Sequence, residues 1–288
     1  MSSPHAAPTT LKPFLDQVRR RYGRRRYLPS DPVSAVHRYR DPRDQEAVAF
    51  LAAGLAFGNV RSILGALEGA LSPLGARPAR RLARLARVDA ERAARGFNHR
   101  WIFAPDLANL YRLLGAALRE AGGLEPLFAA GMRTAAPDDD VRPGAASLVR
   151  ALRDLAPPDV DLGRRGTRYF LSEVSGVGAA KRLCMFLRWM IRRDAVDLGL
   201  WSSARPAQLI IPLDTHIARL GQRLGLTTRR TAGMAMALEI TDGLRQVDPR
   251  DPVKYDFALS RLGILRVCPM VRDPGACAGC GLLDVCRL

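Results

Sequence analysis

The chain has 288 residues, 48% of them hydrophobic, enough for one large domain or two intimately packed ones around a real core. No stretch approaches the roughly 18 uninterrupted apolar residues of a membrane span, and Met1 to Thr10 lack the apolar run of a secretory signal, so a cytoplasmic protein with no membrane partner is expected. With 45 Lys and Arg against 28 Asp and Glu, a formal net charge of +17, the balance favours a polyanionic partner, nucleic acid ahead of an anionic membrane surface. A basic surface that only confers solubility is the plain alternative.

Aromatic residues are few and apolar residues recur at intervals of three and four, which predicts an all-α fold. Residues 1–40 read as a basic extension with a first helix, in which Lys12 lies in a frayed region. Arg24-Arg25-Arg26 is either a phosphate-binding arm or a disordered basic tip. A helix over 44–57 opens on Asp44-Gln45-Glu46, acidic residues suited to the positive end of its dipole. Gly58-Asn59 breaks it, and a second helix follows over 60–71.

Further helices are expected near 78–87, 105–121, 143–154, 165–173, 179–193, 215–224, 231–246 and 252–264. Asp251-Pro252 opens the last, with Asp as cap and Pro at the first helical position. The arginine-rich run from Arg77 to Arg95 reads as a solvated helical face. Breaks at 73–78, 137–143, 157–158 and 248–252 are too short for linkers, so 41–265 is taken as one helical domain and 266–288 as a separate loop.

That loop holds Cys268, Cys277, Cys280 and Cys286, spaced Cys-x8-Cys-x2-Cys-x5-Cys. Four thiols in a compact set suit a metal site better than disulfides in a cytoplasmic protein. Zinc and a [4Fe–4S] cluster both accept four thiolates; zinc sites usually pair two Cys-x2-Cys knuckles, and only one is present, which favours iron–sulfur. Cys184, in an apolar helical run, reads as core.

In Leu171-Ser-Glu-Val-Ser-Gly176-Val177-Gly178-Ala-Ala-Lys181-Arg182 one helix ends, two glycines turn the chain, and another begins. The exposed N–H groups at that second helix start suit a DNA phosphate, with Lys181 and Arg182 beside them. A simple tight turn is the competing reading. Farther on, Asp214 in Pro212-Leu-Asp-Thr-His216 precedes a helix, where an Asp is most often an N-cap and a His a structural hydrogen-bonding residue. Only Lys12, Lys181 and Lys254 are lysines; every other basic residue is Arg, which cannot act as an amine nucleophile.

Taken together, the Gly-Val-Gly turn, Leu-Asp-Thr-His-Ile-x-Arg-Leu and the trailing cysteines resemble the helix-hairpin-helix DNA glycosylases of the endonuclease III and adenine-glycosylase type. The resemblance covers roughly 45–288, and the first cysteine spacing is two residues longer than the family's usual six. A still closer similarity is to an uncharacterised bacterial family of this superfamily. It is carried by Leu55-Ala-Phe-Gly-Asn-Val60, Phe186-Leu-Arg-Trp-Met190, Pro212-Leu-Asp-Thr-His216 and Asp251-Pro-Val-Lys-Tyr-Asp-Phe-Ala-Leu259.

The resemblance implies a glycosylase-like helical bundle with a hairpin near 165–193, double-stranded DNA as partner, Asp214 as the catalytic carboxylate and a [4Fe–4S] cluster on the four cysteines. It also implies nucleoid association and DNA contacts at Gly176, Val177, Gly178, Lys181 and Arg182. Asn59, beside the first helix break, is the candidate to fill the gap left by a flipped base. Bifunctional relatives place a Schiff-base lysine two residues after the second glycine; here that position is Ala180. Either the hairpin is shifted by one residue and Lys181 reaches the pocket, or no lyase lysine exists, and the second reading is favoured. Lys254 is either a pocket residue or half of a surface ion pair.

Overall fold

The computed structural model describes residues 8–174, 178–269, 271 and 273–287. The all-α expectation is met: among these residues the only strands are β1 (Asn98–His99) and β2 (Ile102–Phe103), a two-residue antiparallel hairpin. The helices are α1 (Pro8–Tyr22), α2 (Val33–Val36), α3 (Pro42–Leu55), α4 (Val60–Leu71), α5 (Pro78–Arg84), α6 (Arg87–Ala93), α7 (Ala104–Glu120) and α8 (Glu125–Met132). They continue with α9 (Arg142–Asp154), α10 (Arg165–Phe170), α11 (Lys181–Ile191), α12 (Thr215–Arg223), α13 (Met234–Val247), α14 (Asp256–Ile264) and α15 (Pro274–Ala278). Among the described residues no helix is long and apolar enough to cross a membrane.

The chain forms two compact units. One comprises residues 1–27, 176–188 and 205–288; the other comprises 28–175 and 189–204, with a boundary inside α11. In the first, α1 packs on α13 and α14 through Leu11, Leu15, Val18 and Tyr22, all buried. Lys12, expected in a frayed region, therefore sits on a well-formed helix, paired with Asp16 at 2.7 Å. The period that makes this helix, apolar at i, i+4, i+7 and i+11, is an amphipathic one. Within this unit Arg188 of α11 forms an ion pair with Asp256 of α14, both side chains almost fully buried.

In the second unit α3 is buried from Asp44 to Leu55 apart from Gln45, as expected of a helix surrounded by core. Asp41 caps it, accepting from the Arg43 and Asp44 amides. The buried Glu46 carboxylate accepts from the Leu124 and Glu125 amides at 2.8 and 3.1 Å, satisfying orphan donors at the start of α8, and from Trp201 Nε1 at 2.8 Å. Burial pushes its carboxyl above the ordinary range against those three donors.

Two expected helices form differently. The helix over 78–87 is two, because the chain turns extended at Leu85, whose side chain is buried. At 251 the expected N-cap is not made: Pro252–Tyr255 is a 3-10 turn without a side-chain cap bond, and Asp248 accepts from the Arg250 and Asp251 amides instead. The α-helix then starts at Asp256.

Candidate functional site

Asp214 sits where the sequence predicts, at the N-cap of α12. Leu209 to Leu213 run extended and buried into it, with the Ile211 amide held by Thr241 Oγ1 at 3.0 Å. The Asp214 Oδ1 accepts from the His216 and Ile217 amides at 2.9 and 2.8 Å, satisfying two orphan donors of the helix start. The other oxygen, Oδ2, accepts from no described residue, and Asp214, half-buried, forms no ion pair among them. Neither Lys181 nor Lys254 is bonded to it.

His216 lies against α14. A Cβ built at Gly263 would overlap the imidazole, so the ring can seat only because residue 263 is glycine. Its Nδ1 is buried with no hydrogen-bond partner among the described residues. Replacing Gly263 by Ala must push the ring or the α12–α14 contact apart; we expect a stability loss of about 1–3 kcal/mol, read from chemical unfolding.

The opposite end of α12 holds the cysteine segment. Nine residues of α-helix span about 13 Å. Arg223, its last residue and buried, donates from Nη1 to Cys268 Sγ and to the Pro269 carbonyl, both at 2.9 Å. The Arg223 carbonyl accepts from the Arg287 amide at 2.8 Å, so one residue anchors the segment near both its ends. Between them Asp273 caps α15, and turns carry the chain from Cys277 to Cys280 and on to Cys286.

The five cysteines do not form one cluster: Cys184 lies buried on α11. Among the described residues no group of three or more His, Cys, Asp or Glu is drawn together as a metal site. The other four thiols are nonetheless electrostatic neighbours. Burial pushes the Cys280 thiol up, the Leu282 backbone bond pulls it down, and Cys268, Cys286 and Cys277 push it further up. A set of four thiols, one of them facing a buried guanidinium, is the donor chemistry that zinc or an iron–sulfur cluster takes.

Of the hairpin, Gly176 and Val177 lie outside the described residues. Gly178 is exposed, and a Cβ added to it would meet open space. Ala180 has φ +45°, a left-handed conformation that costs a residue with a Cβ, and α11 starts immediately after it at Lys181. Lys181 and Arg182 are half-buried on the first turn.

Lys254 pairs with Asp248 at 2.5 Å and lies over the Tyr255 ring, 5.0 Å from its centroid. Burial alone would raise the Asp248 carboxyl, but Lys254, together with the Arg250 and Asp251 amides, more than offsets this and holds it below its ordinary value. The Tyr255 hydroxyl donates to Asp16 Oδ1 at 2.9 Å. Two of the three lysines, Lys12 and Lys254, are therefore committed to aspartates.

Asn59 is neither the end of α3 nor buried. It is the exposed N-cap of α4, its Oδ1 accepting from the Ser62 amide at 2.9 Å. The break beside it is held by residues that sequence reasoning did not single out. His99 Nε2 lies 3.1 and 3.0 Å from the Leu55 and Phe57 carbonyls, bridging the end of α3 to the β-hairpin. Phe57 stacks on Trp101 with centroids 4.7 Å apart, and Tyr169 meets both rings edge-on.

Burial holds the His99 imidazole below its ordinary pKa of about 6.5 against the pull of the two carbonyl bonds, and Nε2, facing two acceptors, is the nitrogen that donates. A depressed pKa means that the neutral ring contributes stability above the unfolded pKa, and that this is lost as pH falls through the folded value. Amide exchange of residues 55–60 and 98–103 should accelerate below about pH 6.5, and a His99→Gln variant should lose that dependence.

No curated protein matches the chain significantly. A family model described as a protein of unknown function (DUF2400) matches residues 31–265, a span that contains Asp214, Lys181 and Lys254 and stops short of the four cysteines. The chain belongs to this DUF2400 family of unknown function.

Proposed function

We propose that this protein binds double-stranded DNA through a helix-hairpin-helix element and acts as a monofunctional DNA glycosylase on a damaged or mismatched base. The observation that carries the reading is the Asp214 carboxylate, with Oδ1 spent on the α12 cap and Oδ2 bonded to no described residue. A glycosylase must first extrude its base from the stack. As the N-glycosidic bond breaks, its electron pair leaves with the base and positive charge develops on the deoxyribose. A carboxylate facing that sugar stabilises the charge and orients a water, whose oxygen bonds to the anomeric carbon while its proton passes to the carboxylate and on to the departed base.

Gly178, open to solvent and free of a Cβ, lets a phosphate approach the start of α11, where Lys181 and Arg182 supply charge. Lys181 contacts backbone and forms no Schiff base. Asn59, exposed at the α3–α4 break, is the candidate to occupy the gap left by the flipped base. Cys268, Cys277, Cys280 and Cys286 would hold a [4Fe–4S] cluster, with zinc as the alternative. Such a group supplies structural cross-linking, holding the C-terminal segment on Arg223 and, through α12, steadying Asp214. Protein purified without oxygen should carry about four iron and four sulfide per chain by elemental analysis, against about one zinc under the alternative.

A panel of duplexes bearing single lesions and mismatches, scored for released base, tests the activity. Release of one base class supports it; no release from any duplex, with tight DNA binding, favours a second reading. That reading is a non-catalytic protein that recognises DNA or RNA structure on the same scaffold. One observation speaks for it: two amide bonds to one Asp oxygen are also what an ordinary N-cap makes.

A further inference from the structure

The arginine-rich run from Arg77 to Arg95 divides into halves of different character. On α6, Arg87 pairs with Glu91 at 2.8 Å and Arg92 with Asp89 at 3.0 Å, each about one turn away. That half neutralises itself. On α5, Arg80 and Arg84 stand one turn apart, both exposed, and neither forms an ion pair among the described residues. With Arg77, and with Arg43 from the first turn of α3, they line a cavity of about 530 Å³. Through Asp41, Asp44 and Arg77 it continues into a second hollow of about 270 Å³ that adds Arg38 and Arg40.

Asp41 and Asp44 are the acidic residues in the lining of either hollow, and both are in use. Asp41 caps α3 and lies 3.6 Å from Arg77. Asp44 is buried and accepts from the Ala79 amide at 2.8 Å, fixing the start of α5. Arg38 pairs with Glu68 at 2.7 Å. Arg40, Arg43, Arg80 and Arg84 are left without an acidic partner among the described residues. Like charges one turn apart destabilise a helix, and a concave wall focuses their field, so this arrangement is one that an anion relieves. The guanidinium fork matches phosphate oxygens in a bidentate way.

We propose that this groove, built within the second unit from the entry to α3 and from α5, binds the phosphodiester backbone of nucleic acid. It adds a second set of phosphate contacts to those of the Gly178–Arg182 turn. The proposal rests on the reading of the chain as DNA-binding. A phosphate could also arrive on a small molecule, and the test separates the two sources.

Duplex affinity is measured across a salt series for the full-length protein and for two double variants that remove equal charge, Arg80→Ala/Arg84→Ala and Arg87→Ala/Arg92→Ala. Each lost phosphate contact lowers the slope of log affinity against log salt by about 0.9, so the first variant should lose about two units of slope and the second almost none. In parallel, duplex should protect Arg80 and Arg84 from phenylglyoxal, whereas inorganic phosphate at the same phosphate concentration should not. Equal slope losses in both variants, or no loss in the first while the parent binds DNA, would overturn the groove and leave the DNA-binding reading intact. Protection by inorganic phosphate but not by duplex would overturn the polymer as its ligand. A parent protein that binds no DNA at all would overturn both.

Discussion

Asp256→Ala should destabilise the first unit by about 3–5 kcal/mol, the largest stability effect expected of any single change here. Arg188 and Asp256 are 4% and 6% exposed at their side chains, so removing the carboxylate takes the neutralising charge from a guanidinium held in the core. The guanidinium cannot escape by losing its proton, because Arg stays charged in proteins. A double replacement, Arg188→Met with Asp256→Leu, should recover most of the loss, since desolvating an ion pair offsets much of its attraction. Urea unfolding of the parent, the single variant and the double variant measures this. A single-variant loss below about 1 kcal/mol would show that water reaches the pair.

The second large effect concerns turnover. Asp214→Asn keeps an oxygen able to accept from the His216 and Ile217 amides, so the start of α12 should survive, with stability within about 1 kcal/mol of the parent. What disappears is the negative charge that the proposed mechanism sets against the sugar. Electrostatic stabilisation of this kind is worth about 10²–10³ in rate, and general-base help about 10²–10⁴, so single-turnover base release should fall by at least about 100-fold. Duplex affinity should change little, because the proposed mechanism sets this carboxylate against the sugar and not against a phosphate. If the variant released base at the parent's rate, Asp214 would be an N-cap and nothing more.

Asp214 was legible because its signal is local. A polar cap after the buried run Leu209 to Leu213, followed by an amphipathic helix, needs no distant partner to be recognised. The same local grammar failed at Asp251-Pro252, where Asp248 takes the loop amides and the chain tightens into a 3-10 turn before α14. The first helix expected within residues 1–40 is α1, readable from the period of Leu11, Leu15, Val18 and Tyr22, although its basic, proline-containing sequence made the stretch around Lys12 look frayed. Other features were out of reach because their partners are remote in sequence. Glu46 meets Trp201 across 155 residues, and Phe57 finds His99 and Tyr169 only once the chain is folded. The arginine run shows the same limit: composition gives its charge, whereas only folding separates the self-paired half on α6 from the unmatched half on α5.

The most direct test of a monofunctional glycosylase is the chemistry of the cleaved strand. A lesion duplex that the protein processes should be divided into three portions, one left untreated, one heated with alkali, and one treated with borohydride during the reaction. The account predicts strand scission only after alkali and no covalent protein–DNA adduct, because water attacks the anomeric carbon and leaves an intact abasic site. A borohydride-trapped adduct that vanishes in Lys181→Gln would contradict it, making Lys181 an amine nucleophile and the protein a lyase.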